Sequence, residues 1–101
     1  MLRIEIPFPA LVRGVDVHQQ AFEEQTVLDN LSANGLSLRL SRCVELGATL
    51  FIVLRLGVQP DAPAPRVALR GLIQRAEPNS DATCTLAIVF SHYRFLYASG
   101  E

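Results

Sequence analysis

The chain has 101 residues, 50% of them hydrophobic and 19% charged, so it is long enough for one domain, residues 1–101, with a single core. Nine arginines and no lysine stand against ten acidic residues, a net charge of −1, which excludes a global field drawing the chain to nucleic acid or anionic lipid. The apolar content excludes an intrinsically disordered chain.

The N-terminal segment alternates Ile4 and Ile6 around Glu5 before Pro7 and Pro9 interrupt it. Ala10 to Val17 and Phe22 to Leu31, joined by the polar His18-Gln19-Gln20, read as a β-hairpin. After Gly35 the alternation is clean, with Leu36, Leu38 and Leu40 on one face and Ser37, Arg39 and Ser41 on the other. Thr49 to Gly57 is β-rich, largely apolar and short enough for a strand buried on both faces. Even its longest apolar run falls far short of the roughly 20 residues a membrane helix needs.

Gln59 to Pro65 carries Pro60, Pro63 and Pro65 and is expected as a loop. Arg66 to Ala76 directs Val67, Leu69, Gly71 and Ile73 inward and Arg66, Arg70 and Gln74 outward. Glu77 to Asp81 is a turn cluster, and Thr83 to Phe90 places Cys84, Leu86, Ile88 and Phe90 on one face. His92 to Tyr97 is the one window compatible with a helical stripe, so a short C-terminal helix is included in the expectation. Its Tyr93, Phe95, Leu96 and Tyr97 are expected to close the core, with a partner surface as the alternative. About six short strands with frequent turns predict an all-β, antiparallel barrel, because closing the sheet removes edges that so apolar a chain would leave dangerous.

Enzyme motifs are missing: there is no phosphate loop, HExxH, nucleophile elbow or metal-spaced His/Cys set. His18 and His92 read as surface or half-buried histidines. Glu23 and Glu24 are strand neighbours that point to opposite faces and do not converge on one substrate. Cys43 and Cys84 are expected to be unpaired, with no metal and no cofactor. No signal peptide is visible, so a cytoplasmic location is expected. An oligonucleotide-binding barrel is disfavoured by the acidic balance, the 7% aromatic content and the lack of Trp.

The informative stretch is Asp29-Asn30-Leu31-Ser32-Ala33-Asn34-Gly35-Leu36. As plain structure it is a strand-to-strand turn in which Asn34 and Gly35 adopt positive φ. As chemistry it sets an amide, a hydroxyl and a bare backbone on one turn, able to bond a base edge and a phosphate.

Asn30, Ser32 and Gly35 resemble the (D/N)xSxxG signature of the PilZ family. The surroundings agree over most of the chain, from LVRGVD and FEEQT through NLSANGLSLRLS to FSHYRFL. The resemblance implies a six-stranded β-barrel that binds the bacterial second messenger cyclic di-GMP and couples it to a protein effector or a fused domain. The family's second signature, RxxxR before the first barrel strand, is not complete here. Arg3 falls on its second arginine, and the first would lie upstream of Met1. Arg66 and Arg70 have the spacing but follow the other motif, and are read as two arginines on a solvated strand face. The ligand-binding residues implied are therefore Arg3, Asn30, Ser32 and Gly35, with weakened nucleotide binding. The alternative is a PilZ-like protein-interaction module that does not bind the nucleotide.

Overall fold

Alternating apolar and polar residues fold into six strands, and each strand finds two neighbours. The computed structural model describes residues 8–56 and 65–96. Its strands are β1 (Pro9–Val15), β2 (Ala21–Leu31), β3 (Gly35–Leu40), β4 (Thr49–Arg55), β5 (Arg66–Pro78) and β6 (Cys84–Leu96). They close an antiparallel barrel in the order β1-β2-β3-β6-β5-β4, with β4 pairing back onto β1. Closure gives each strand a partner on both sides over most of its length, which meets the aggregation problem that the apolar pattern poses.

The core follows the alternation. Leu36, Leu38 and Leu40 of β3 are buried, as are Val67, Leu69 and Ile73 of β5 and Leu86 and Ile88 of β6. Phe90 is half-buried and packs on this cluster. Val12, Leu50, Ile52 and Leu54 complete the lining from β1 and β4, and Val44 covers it from the loop after β3.

Three expectations need correction. His92–Leu96 is not a helix: it continues β6 and pairs with Arg66–Arg70. Without it that half of β5 would leave one edge of its ladder unpaired, and this long-range pairing overrides the local pattern. Tyr93 and Phe95 do not close the core; they are 67% and 52% exposed, because β6 here extends past the end of β3 and has no neighbour on that side among the described residues. Leu96 is described only as a strand residue, and Tyr97 lies outside the described residues. Finally, β4 is buried on one face only: Phe51 between Leu50 and Ile52 is 51% exposed, since a single-layered barrel has no second layer to cover it.

The β1–β2 turn is fastened by Asp16, the buried acidic side chain among the described residues. Its Oδ1 accepts from the backbone N–H of His18 at 2.8 Å and of Gln20 at 3.1 Å. Arg42 reaches its Oδ2 at 3.7 Å and Glu24 at 3.3 Å, and lies 4.7 Å over the Phe22 ring. Glu24 is thereby committed to Arg42 and Ser41, while Glu23 pairs with Arg13 on the outer surface. The two carboxylates serve separate partners.

Candidate functional site

A strict alternation starting at the buried Leu28 would turn Asn30 into the core. The structure avoids this with a β-bulge: Leu28 pairs with Leu38, but Asn30 pairs with Ser37. Asp29 is the extra residue, and the phase reverses across it. Asn30 then lies on the outer face beside Ser37, and Leu31 packs against the core again. Asp29 itself is held by Arg39 at 3.6 Å.

A second bulge does the same on β5. Ile73 pairs with Ile88 and Arg75 with Ala87, leaving Gln74 as the extra residue. Regular alternation from Ile73 would bury Arg75; the bulge turns it outward instead.

These two reversals face one another across β3 and β6. Asn30, Ser37, Ala87 and Arg75 form a single cross-strand row from β2 through β3 and β6 to β5. The result is a groove of about 470 Å³ down the outer flank of the barrel. That volume lies within the range of about 300–1,000 Å³ usual for small-molecule sites. Asn30, Ser32 and Asn34 form one side and Gln74, Arg75 and Glu77 the other, over a floor of small residues that includes Gly35, Ser37 and Ala87.

Three of the four residues singled out in the sequence thus lie on one groove: Asn30, Ser32 and Gly35. Arg3 lies outside the described residues. The roles assigned to the turn need adjustment. Neither Asn34 nor Gly35 adopts positive φ; among the described residues only Gln19, Ala82 and Gly47 do. Gly35 is required for a different reason. A β carbon there would overlap the Ile88 carbonyl oxygen, so β3 and β6 can approach only because position 35 has no side chain. Ser32 fastens the turn, donating its N–H to the Gly35 carbonyl at 2.9 Å and its hydroxyl to the same oxygen at 3.3 Å. The hydroxyl bond is the long one of the pair and leaves that oxygen satisfied if the hydroxyl rotates away.

Sequence reasoning missed the far wall. Arg75 and Glu77 carry the charges there, and the signal for them was present: a charged residue in the inward phase after Ile73 marks a break in alternation. Among the described residues, neither the Arg75 guanidinium nor the Asn30 amide has a hydrogen-bond or ion-pair partner. Arg66 and Arg70 do not line the groove; Arg70 bonds His92 Nδ1 at 2.7 Å on another part of the wall.

Comparison with solved structures bears on the fold. Over 92% of its length the chain superposes on the Bacillus subtilis inhibitor of motility (MotI/DgrA), with a TM-score of 0.71 and 14% identity. The fold is the PilZ-like β-barrel. The chain spans only 42% of the MotI/DgrA chain. A second similar structure, an F420 reductase, gives a TM-score of 0.59 and 10% identity over 89% of this chain and 91% of that one. At such identities the likeness is one of fold. No family model and no curated protein sequence matches the chain. Among the described residues no helix is long and apolar enough to cross a membrane, and no group of His, Cys, Asp and Glu is placed to hold a metal ion.

Proposed function

We propose that this barrel is a bacterial signalling module that binds cyclic di-GMP in the flank groove and passes the signal to a protein effector or a fused domain in the cytoplasm. The observation that carries the reading is the gathering of Asn30, Ser32 and Gly35 on one groove, in the order of the PilZ signature, within a barrel of PilZ-like fold. Asn30 offers both a donor and an acceptor to a guanine edge. Ser32 offers a hydroxyl to a phosphate oxygen, and Gly35 keeps the floor flat for a planar ligand. In this reading the protein acts by binding and not by catalysis.

Arg3 is proposed to approach from the N-terminal segment. The described chain starts at Phe8, whose carbonyl accepts from the Leu28 N–H at 3.0 Å, two positions from Asn30. That entry point supports an approach along β2 toward the groove.

Calorimetric titration with cyclic di-GMP, with GTP as control, tests the proposal. Weak binding is expected, reduced further by Asn30→Ala, Ser32→Ala or Arg3→Ala. No binding at millimolar nucleotide by the folded chain would transfer the case to the interaction-module reading.

A further inference from the structure

We infer that Arg75 is the phosphate-gripping residue of the flank groove, facing Asn30 across a floor of small side chains. The inference rests on the nucleotide-site reading above and names the residue that supplies the charge. Three observations lead to it.

The first is the bulge at Gln74. A strand that kept its register would set Arg75 opposite Leu86, facing the core; instead the extra residue turns it outward, opposite Ala87 and onto the groove.

The second is electrostatic. Arg39 at the lower end of β3 is paired with Asp29, whereas Arg75 has no partner among the described residues. An unpaired guanidinium beside a groove offers a planar fork of donors that fits a phosphate bidentately.

The third is distance. Asn30 and Arg75 are three strand steps apart, about 14 Å at the usual interstrand spacing of roughly 4.8 Å. A ligand spanning that gap presents a hydrogen-bonding edge at one end and an anion at the other, as a guanine nucleotide does. Ser37 and Ala87 between them are short enough to let a flat molecule lie against the sheet.

Glu77 limits the charge that the groove accepts. It lines the same wall, two residues along β5 from Arg75. One cation beside one anion favours a ligand with a single phosphodiester at this wall over one with a clustered triphosphate.

The experiment is calorimetric titration of the wild-type chain, Arg75→Ala, Arg75→Lys and Glu77→Gln with cyclic di-GMP at low and high salt. Arg75→Ala is expected to weaken binding about 10- to 100-fold and to flatten the salt dependence. Arg75→Lys, which keeps the charge but not the fork, should fall between the two. Glu77→Gln should tighten binding and narrow the discrimination against GTP. Because Arg75 is exposed, the Arg75→Ala thermal midpoint should match the wild type, which separates a binding loss from a folding loss. Wild-type binding that Arg75→Ala leaves within twofold overturns this inference and spares the nucleotide-site reading. A wild-type chain that does not bind overturns both.

Discussion

Asn30 and Arg75 stand at opposite ends of one cross-strand row, joined through Ser37 and Ala87. Each reaches the outer face through a bulge, at Asp29 and at Gln74. Two insertions that look like irregularities in separate strands therefore act on a single surface, where they raise the walls of the groove.

Removing Gln74 tests that relationship. With residue 74 deleted, Ile73 inward, Arg75 outward and Ala76 inward become an unbroken alternation, so the barrel should still form. The bend that the bulge imposes on β5 would be lost, and with it the shape of the wall. We expect cooperative unfolding to persist in circular dichroism while nucleotide affinity falls about tenfold or more. Unchanged affinity in the deletion variant would show that the bulge does not shape the site.

Gly35→Ala should destabilise the barrel by about 1–3 kcal/mol, since the added carbon meets the backbone of Ile88 and not a side chain that could move. Gly47 provides the contrast: nothing lies within 4 Å of a β carbon there, but its φ is +81°. Gly47→Ala should cost about 1–2 kcal/mol through backbone conformation alone, and an asparagine there should cost less. Urea unfolding of the variants measures both. A neutral Gly35→Ala would contradict the close approach of β3 to β6.

Leu38→Ala should cost about 2–5 kcal/mol, because Leu38 is fully buried at the centre of β3 and its removal leaves a cavity. The same substitution at Leu72, 45% exposed on the outer face of β5, should change stability far less. Equal losses at the two positions would invalidate the inward–outward assignment of these strands.

Stability should fall on acidification through Asp16. Its carboxyl is held below the ordinary 3.8, chiefly by the backbone N–H of Gln20, with His18 and Arg42 adding to the effect against the opposing cost of burial. A depressed native pKa contributes stability that is complete above about pH 5 and is lost as the pH drops through the native value. Asp16→Asn should therefore be less stable than wild type at pH 7 and should lose less on going to pH 2. Parallel acid profiles for the two proteins would remove Asp16 from the account.

Cys84 should resist alkylation in the folded state. Burial, with Cys43 beside it, pushes its thiol up to about 12. The raised value means that the neutral thiol's contribution to stability is intact below the ordinary thiol pKa and declines as the pH climbs toward 12. At pH 8 a small alkylating reagent should modify the half-buried Cys43 first and reach Cys84 only on unfolding, as read by mass spectrometry. Simultaneous labelling of both would contradict the burial of Cys84.

The barrel strands were legible because a period of two survives wherever one face is buried: Leu36-Leu38-Leu40 and Leu86-Ile88 needed nothing beyond their own spacing. The turn carrying Asn30, Ser32 and Gly35 was legible as a polar turn, and the fold sets all three on one groove, although the reason for Gly35 was not legible. Positive φ is a property of one residue, whereas the collision it avoids is with Ile88, 53 positions away. Arg75 was passed over because alternation was followed only as far as it stayed regular.

What the sequence by itself determined is the set of strands, their inward faces and the polar turn between β2 and β3. These depend on local spacing and on the chemistry of single residues. Tertiary structure decided which strands became neighbours, where register slipped, and that His92–Leu96 became strand and not helix. Pairing energies come from residues far apart in the chain: β6 extends because Arg66–Arg70 of β5 lacks a partner on that edge, and the groove exists because β3 and β6 place the two bulges on either side of them. Both are consequences of closing the barrel, in which every strand must satisfy two neighbours at once.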